Sequence, residues 1–341
     1  MAFLTRARLL LILAVLCGFL FVSLLASLYL GPVQLGIDFS EIGSQFWNLL
    51  RRQELSQEGV IVFRIRLPRA LLAVLVGGGL GLAGASFQAL LRNPLADPYI
   101  LGVSGGSAFT AVLGMIFSFY LGFAVVPLFA FLGALLAIFL VLSVARIGGR
   151  MPVLTLLLAG VVVNAFFSAL VMLVLSIAPS HHLPSAIFWM MGGLSPKNYW
   201  VIGLVGLYYL PGIFILLGMA REFNLFSLGE ESAEQLGVNV EKSKLVAFIF
   251  ASLVTAVGVS VSGLIGFLGL IVPHIIRLIF GPDHRLLLPA SFIFGAIFLI
   301  WCDFLARMMI APAELPVGVI TALLGGPFFI WLLHKTKEIL R

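Results

Sequence analysis

The chain has 341 residues, 62% of them apolar and only 10% charged, with a formal net charge of +6 and a mean hydropathy of +1.18. A soluble domain carries about 25% charged residues, so a water-soluble globular protein is excluded. Stretches apolar for about 20 residues at a time also exclude a β-barrel, whose strands alternate. What is left is an all-α, polytopic membrane protein, and its basic balance reads as topogenic charge at span ends, not as a nucleic-acid surface.

Arg6 and Arg8 precede an apolar run from Leu9 to Leu30. That run is too long for the core of a signal peptide and no A-x-A site follows, so an uncleaved first span is predicted. In chain order the ten predicted transmembrane helices cover about 9–30, 70–91, 100–116, 123–145, 153–178, 200–220, 245–262, 266–281, 286–309 and 317–334. From Leu245 to Gly281 only His274 and Arg277 interrupt 37 residues. As one helix that is about 55 Å, nearly two bilayers, and the break is expected at Ser260-Val261-Ser262-Gly263. Tyr99 to Ala145 carries no charge, and Gly122 with Pro127 marks its turn. The whole chain, 1–341, reads as one transmembrane domain with two longer non-membrane segments, an outer loop at about 31–69 and a cytoplasmic loop at about 221–244.

Ten spans put both termini on one side. With the termini in the cytoplasm, thirteen of the 20 Lys and Arg lie inside and seven outside, as the positive-inside rule requires. Five of the outer seven, Arg51, Arg52, Arg64, Arg66 and Arg69, crowd between 51 and 69 and need a separate reason. No lysine follows a glycine, so no phosphate-cradling loop is present and any driving nucleotide binds another chain. Cys17 and Cys302 lie in apolar runs, with no disulfide or metal site expected. His181-His182 reads as a solvated pair, the alternative being contact with a haem or metal chelate.

The loop at 221–244 holds five of the fourteen acidic residues. Within it Ser227 and Glu230 have capping-box spacing and Gly237 is a helix stop. This predicts a two-turn helix with Leu228, Ala233 and Leu236 on one side and three glutamates displayed. A linker helix is the plain reading, but so short an apolar stripe outside the membrane asks for a protein partner. Asp303 sits in an apolar span, where a carboxylate costs about 2.5–3.5 kcal/mol. Arg307, one turn on, is its expected ion-pair partner, with a proton relay as the alternative. Gly160, Asn164, Ser168 and Met172 recur every four residues on the fifth span, and Gly318, Thr321, Ala322 and Gly325 form a similar stripe on the tenth. Helix packing and a cavity lining are both open for these stripes.

Several stretches, in order, resemble the FecCD-type permeases of ABC importers for iron-siderophores, haem and cobalamin. They are Arg66-Leu67-Pro68-Arg69, Asn93-Pro94-Leu95-Ala96-Asp97-Pro98 with Gly102-Val103-Ser104, and Phe188-Trp189-Met190-Met191-Gly192-Gly193. The Leu228-Gly229…Ala233…Leu236-Gly237 loop follows, then Gly266-Phe267-Leu268-Gly269-Leu270-Ile271-Val272-Pro273-His274, Asp283-His284-Arg285 and Ala313-Glu314-Leu315-Pro316-Val317-Gly318. The resemblance implies a homodimer in a bacterial inner membrane around a central pathway. It also implies two cytoplasmic ATPase subunits that hold ATP and Mg, and a periplasmic or extracellular binding protein. No cofactor and no catalysis are expected of this chain itself.

By the same resemblance Leu228, Gly229, Glu230, Glu231, Ala233, Leu236 and Gly237 couple to the ATPase. Arg66, Arg69 and Arg307 are where acidic residues of the binding protein dock. Asn164, Ser168 and Thr321 face the pathway, and Pro152, Val153 and Leu154 form an apolar inner gate. Cobalamin and ferric siderophore are ranked ahead of haem as cargo. The rival function is a secondary transporter coupled to an ion gradient through Asp303.

Overall fold

The computed structural model describes residues 5–33, 39–51, 53–121, 125–195 and 197–339. Arg52 and Gly122, which entered the sequence argument, lie outside the described residues. Among the described residues there is no strand, only a two-residue bridge between Ile147 and Arg150. Seven helices are long and apolar enough to cross a bilayer and three apolar helices are shorter. These ten occupy the ten predicted spans.

In chain order the helices are α1 (Arg6–Tyr29), α2 (Phe39–Leu50), α3 (Gln57–Val60), α4 (Leu67–Leu90), α5 (Val103–Leu121), α6 (Val125–Ala145), α7 (Val153–Ile177), α8 (Leu183–Met190), α9 (Tyr199–Gly218), α10 (Ala220–Phe226), α11 (Glu230–Gln235), α12 (Val240–Ser262), α13 (Leu268–Phe280), α14 (His284–Met308) and α15 (Val317–Ile339). Residues predicted as an outer loop prove partly helical. α3 runs through a π-helical turn, Ile61–Arg66, straight into α4, making one 34-residue helix from Gln57 to Leu90. Pro68 supplies the cause of the wide turn. It lacks an N–H and its ring pushes away the carbonyl four residues back, and the extra residue in the turn absorbs that displacement.

α4 is the axis of the molecule, with every residue from Val76 to Leu90 buried. Its glycines let other backbones come into contact. A Cβ on Gly77 would lie 2.4 Å from the carbonyl oxygen of Gly295 in α14, and one on Gly84 would lie 2.0 Å from that of Gly269 in α13. Small residues at such crossings are how membrane helices gain dispersion contact without a hydrophobic drive. α1, by contrast, lies at the periphery with Leu10 and Leu11 each 65% exposed.

The break after α12 falls where it was predicted. Ser262 ends the helix and Gly263 turns the chain at φ +68, a left-handed conformation open to glycine at little cost. A side chain there would also strike the Trp189 carbonyl. The neighbouring Gly193 N–H donates to the Ser262 carbonyl at 2.7 Å, so the Trp189–Gly193 stretch closes over this turn.

Two polar clusters occupy opposite ends of the bundle. One gathers at the start of α4 and the end of α14. The other gathers beneath α10 and α11.

Candidate functional site

At the α10–α11 end, the predicted helix is shorter than expected and is preceded by a second one. Phe223 and Phe226 of α10 are buried, and Asn224 fastens this helix to the start of α14. Its amide donates to Asp283 Oδ1 at 3.0 Å, and its Oδ1 accepts from the His284 backbone N–H at 2.9 Å. Asp283 also caps α14 and binds Arg285. Arg285, with Asn224 adding a second hydrogen bond, holds the Asp283 carboxyl down at about 2.

α11 itself opens at Gly229, with φ +107 and no side-chain cap. The predicted capping box does not form. The Ser227 hydroxyl donates back to the Asn224 carbonyl at 2.6 Å, because Ser227 belongs to the end of α10. Glu230 is turned inward to Lys244 and Arg92. Gly237 does stop the helix, at φ +84. The apolar stripe is also corrected: Ala233 is fully buried, whereas Leu228 and Leu236 are 63% and 52% exposed. They stand outward with Glu231 and Glu234.

Beneath α11 lies a buried ammonium that the sequence reading treated only as topogenic charge. Lys244 is 2% exposed and its Nζ donates to Glu230 Oε2 at 2.6 Å, Glu241 Oε1 at 3.1 Å and the Met151 carbonyl at 3.2 Å. Glu241 Oε2 accepts from the Met151 N–H at 2.6 Å. The α6–α7 turn, with Pro152, Val153 and Leu154 just after it, is thereby tied to α12. Pro152 and Leu154 are exposed and Val153 is half-buried at the start of α7.

At the opposite end Asp303, 2% exposed, accepts from Arg307 Nε at 3.0 Å, the partner expected one turn away. It also accepts from Arg69 Nε at 2.7 Å, and Arg69 reaches Glu314 at 2.7 Å. Arg66 donates to the carbonyls of Leu28, Tyr29 and Val33 at the end of α1. The three arginines expected to dock a binding protein, Arg66, Arg69 and Arg307, are 5%, 7% and 5% exposed in this chain. They are paired with the buried Asp303, the half-exposed Glu314 and the carbonyls of Leu28, Tyr29 and Val33. Among the described residues Arg51 and Arg64 are the exposed arginines of this region. A cavity of about 450 Å³ opens beside Arg69 and Glu314, lined also by Trp189, Lys197 and Ser260. Burial there lowers the Lys197 ammonium below the usual lysine range.

The two stripes divide. On α7, Gly160 is packed on the Ile100–Leu101 backbone and Asn164 accepts from the Ser104 hydroxyl at 3.3 Å. Ser168 and Met172, further along, are exposed. Thr321 on α15 is fully buried and donates to the Gly318 carbonyl at 3.0 Å. Its hydroxyl is satisfied within its own helix, so it packs between helices instead of lining an open cavity in this chain.

The fold thus defines a polytopic α-helical membrane protein. The chain belongs to the FecCD transport family, whose family model matches residues 5–335. It is 39% identical over 329 residues to the hemin transport system permease protein HmuU of Yersinia pestis, covering 94% of this chain and 96% of that one. To the cobalamin import system permease protein BtuC of Halobacterium salinarum it is 43% identical, covering 82% and 74%. A solved structure described as a metal-chelate type ABC transporter in an inward-facing conformation superposes with a TM-score of 0.80 at 35% identity, over 96% of this chain and 99% of that one.

Proposed function

We propose that this chain is the membrane permease of an ATP-driven importer of bulky metal chelates. It works as a homodimer with two cytoplasmic ATPase subunits and an external binding protein, in a bacterial inner membrane with both termini cytoplasmic. The observation that carries the reading is the family match along almost the whole chain, to relatives named for hemin and cobalamin transport. The structure adds a short helix outside the bilayer that shows Leu228 and Leu236 to solvent. Exposed leucines beside Glu231 and Glu234 suit a groove on a partner protein. ATP and Mg belong to that partner, since no lysine of this sequence follows a glycine.

In this reading ATP binding and hydrolysis change how tightly the ATPase holds α11. That difference in affinity is the only means by which a ligand shifts a conformational equilibrium. The two copies then open alternately outward and inward, with the exposed Ser168 side of α7 and the Pro152–Leu154 gate facing the pathway. Among the described residues Arg51 and Arg64 are exposed cations at the other end and are the ones available to a docking protein. Such surface pairs steer encounter and are screened by salt. The cargo is cobalamin, a ferric siderophore or haem, and uptake of each by the reconstituted system separates them. Proton coupling through Asp303 is disfavoured, because two guanidinium groups hold that carboxylate.

The test is co-purification of the ATPase with wild-type chain and with Leu228→Asp, Leu236→Asp. Both positions are exposed, so the variant is expected to fold. Loss of the ATPase from the folded variant supports the reading. Retention at the wild-type ratio refutes α11 as the motor contact.

A further inference from the structure

Three observations bear on how movement of α11 would reach the membrane. First, α10 and α11 are held differently. Asn224 bonds α10 to the start of α14. α11 is flanked by Gly229 and Gly237, both at positive φ and both with open space where a side chain would be. α11 is thus bounded by two glycines, the kind of position at which a chain can change direction, while α10 is bonded to α14.

Second, besides the packing of the buried Ala233, α11 is held to the core by the Glu230 carboxylate. Oε2 takes a hydrogen bond from Lys244 at 2.6 Å, and Oε1 takes one from Arg92 at 3.2 Å. Lys244 is 2% exposed while Arg92 is on the surface. The short bond shielded from water is the mechanically relevant one.

Third, the same ammonium grips the α6–α7 turn. Its three N–H groups meet three acceptors, Glu230, Glu241 and the Met151 carbonyl. The Met151 N–H goes to the other oxygen of Glu241. Both backbone groups of one residue are thus held by a side-chain pair on the first turns of α12. Met151 is 1% exposed and directly precedes Pro152, which opens α7. Two carboxylates and two cations make the cluster neutral, so loss of Lys244 leaves Glu230 and Glu241 facing each other with only the surface arginine.

We propose that Lys244 is the positioning residue that carries displacement of α11 to the α6–α7 turn and so to the start of α7. The proposal rests on the reading that α11 meets the ATPase, and it names the link within this chain that makes that contact effective. Lys244 touches neither nucleotide nor cargo. A pivot of α11 draws on Glu230, Glu230 draws on the ammonium, and the ammonium carries the Met151 carbonyl with it. Without the ammonium α11 can still be held by its partner but moves alone.

The experiment uses the full chain in complex with its ATPase, with Cys17 and Cys302 replaced by serine and a bimane fluorophore on Leu154→Cys. Leu154 is 69% exposed and three residues from Met151. The readout is the change in bimane emission on adding ATP with vanadate, alongside ATPase co-purification and the rate of ATP hydrolysis. In Lys244→Met the ATPase is expected to stay bound and hydrolysing. The emission change should shrink at least about fivefold, the lower range of a coupling between sites. Lys244→Arg, which restores the cation, should recover most of it.

A full emission change in Lys244→Met overturns the proposal. So does a loss in Lys244→Met that Lys244→Arg does not recover at all. If Lys244→Met fails to assemble, Glu241→Gln serves in its place: it keeps the shape but removes one charge-assisted hold on Met151, and an undiminished signal there is equally fatal. Absence of any ATPase from the unsubstituted complex overturns the importer reading itself, an outcome distinct from the others.

Discussion

Replacing Asp303 by asparagine tests the buried triad where α4 begins and α14 ends. The amide fills the same space, so the perturbation is almost purely electrostatic. Asp303 accepts from Arg69 at 2.7 Å and from Arg307 at 3.0 Å, with all three side chains at most 8% exposed. Each pair is worth about 4 kcal/mol in gross Coulomb energy at an effective dielectric of 20, offset by several kcal/mol of desolvation per ion. Removing one partner of a buried pair costs about 3–5 kcal/mol because a charge is left unpaired. Arg69 keeps Glu314 at 2.7 Å, but Arg307 keeps only uncharged acceptors among the described residues, the Ser27 hydroxyl at 3.3 Å and the backbone carbonyl of residue 303 at 3.4 Å. The cost should therefore come mainly from Arg307 and sit near the low end, about 3 kcal/mol. SDS titration of the purified protein in bicelles measures it. The double variant Asp303→Asn, Arg307→Gln should recover part of the loss by removing the stranded cation. A single-variant cost below about 1 kcal/mol, the value of a surface pair, would refute the reasoning, as would a double variant worse than the single.

Two further outcomes follow from the packing and from the α10–α14 contact. Gly84→Ala places a methyl 2.0 Å from the Gly269 carbonyl and should cost at least about 2 kcal/mol by overpacking, whereas Gly203→Ala, which meets nothing within 4 Å, should be neutral or slightly stabilising in the same SDS titration. Asp283, held at about 2 by Arg285 and Asn224 against an ordinary value of 3.8, contributes stability that is complete above about pH 4 and is lost as pH falls through its folded-state value. Asp283→Asn should flatten the acid limb of a thermal-denaturation profile between those limits, and an unchanged limb would show that the carboxylate does not stabilise the fold.

The ten spans and the break at Ser260–Gly263 were legible because bilayer thickness imposes a length on apolar runs and a small residue is needed where the chain turns. The helix at 57–69 was not. Glu58, Arg64, Arg66 and Arg69 make that stretch look like a solvated loop, and what makes it helical is distant: α1's terminal carbonyls for Arg66 and Asp303 for Arg69. Asp303 announced that it needed a partner, and Arg307 was found by its four-residue spacing. Arg69, 234 positions away in sequence, carried no local signal beyond belonging to an unexplained run of outer arginines. On α11 the Ser227–Glu230 spacing was right for a capping box, yet the left-handed Gly229 moved the helix start and freed Glu230 to turn inward. Periodicity on α7 and α15 gave a face but not its neighbour, so Thr321 came out buried and Ser168 exposed. Lys244 was hidden for a similar reason, since a lysine at a helix start ordinarily lies in water and its burial depends on α11 and the α6–α7 turn closing over it.

Both polar clusters sit on α4. Arg69 lies in its first turn and Arg92 just beyond its last. Between them α4 meets α13 and α14 through backbone contacts at Gly77, Gly81 and Gly84, where even a methyl would collide with a carbonyl. Close-packed interfaces of this kind switch between discrete arrangements or stay fixed; they do not deform gradually. The Arg69–Asp303 pair adds a lock at one end of the same three helices. α7 is built differently, packed on its neighbours through Gly160 and Asn164 in its first half but carrying exposed Val161, Val162, Phe166, Met172 and Leu173 on another face. The contrast is physical: α4, α13 and α14 meet backbone to backbone, whereas α7 buries one face through Leu156, Ala159, Val163 and Phe167 and leaves the other exposed.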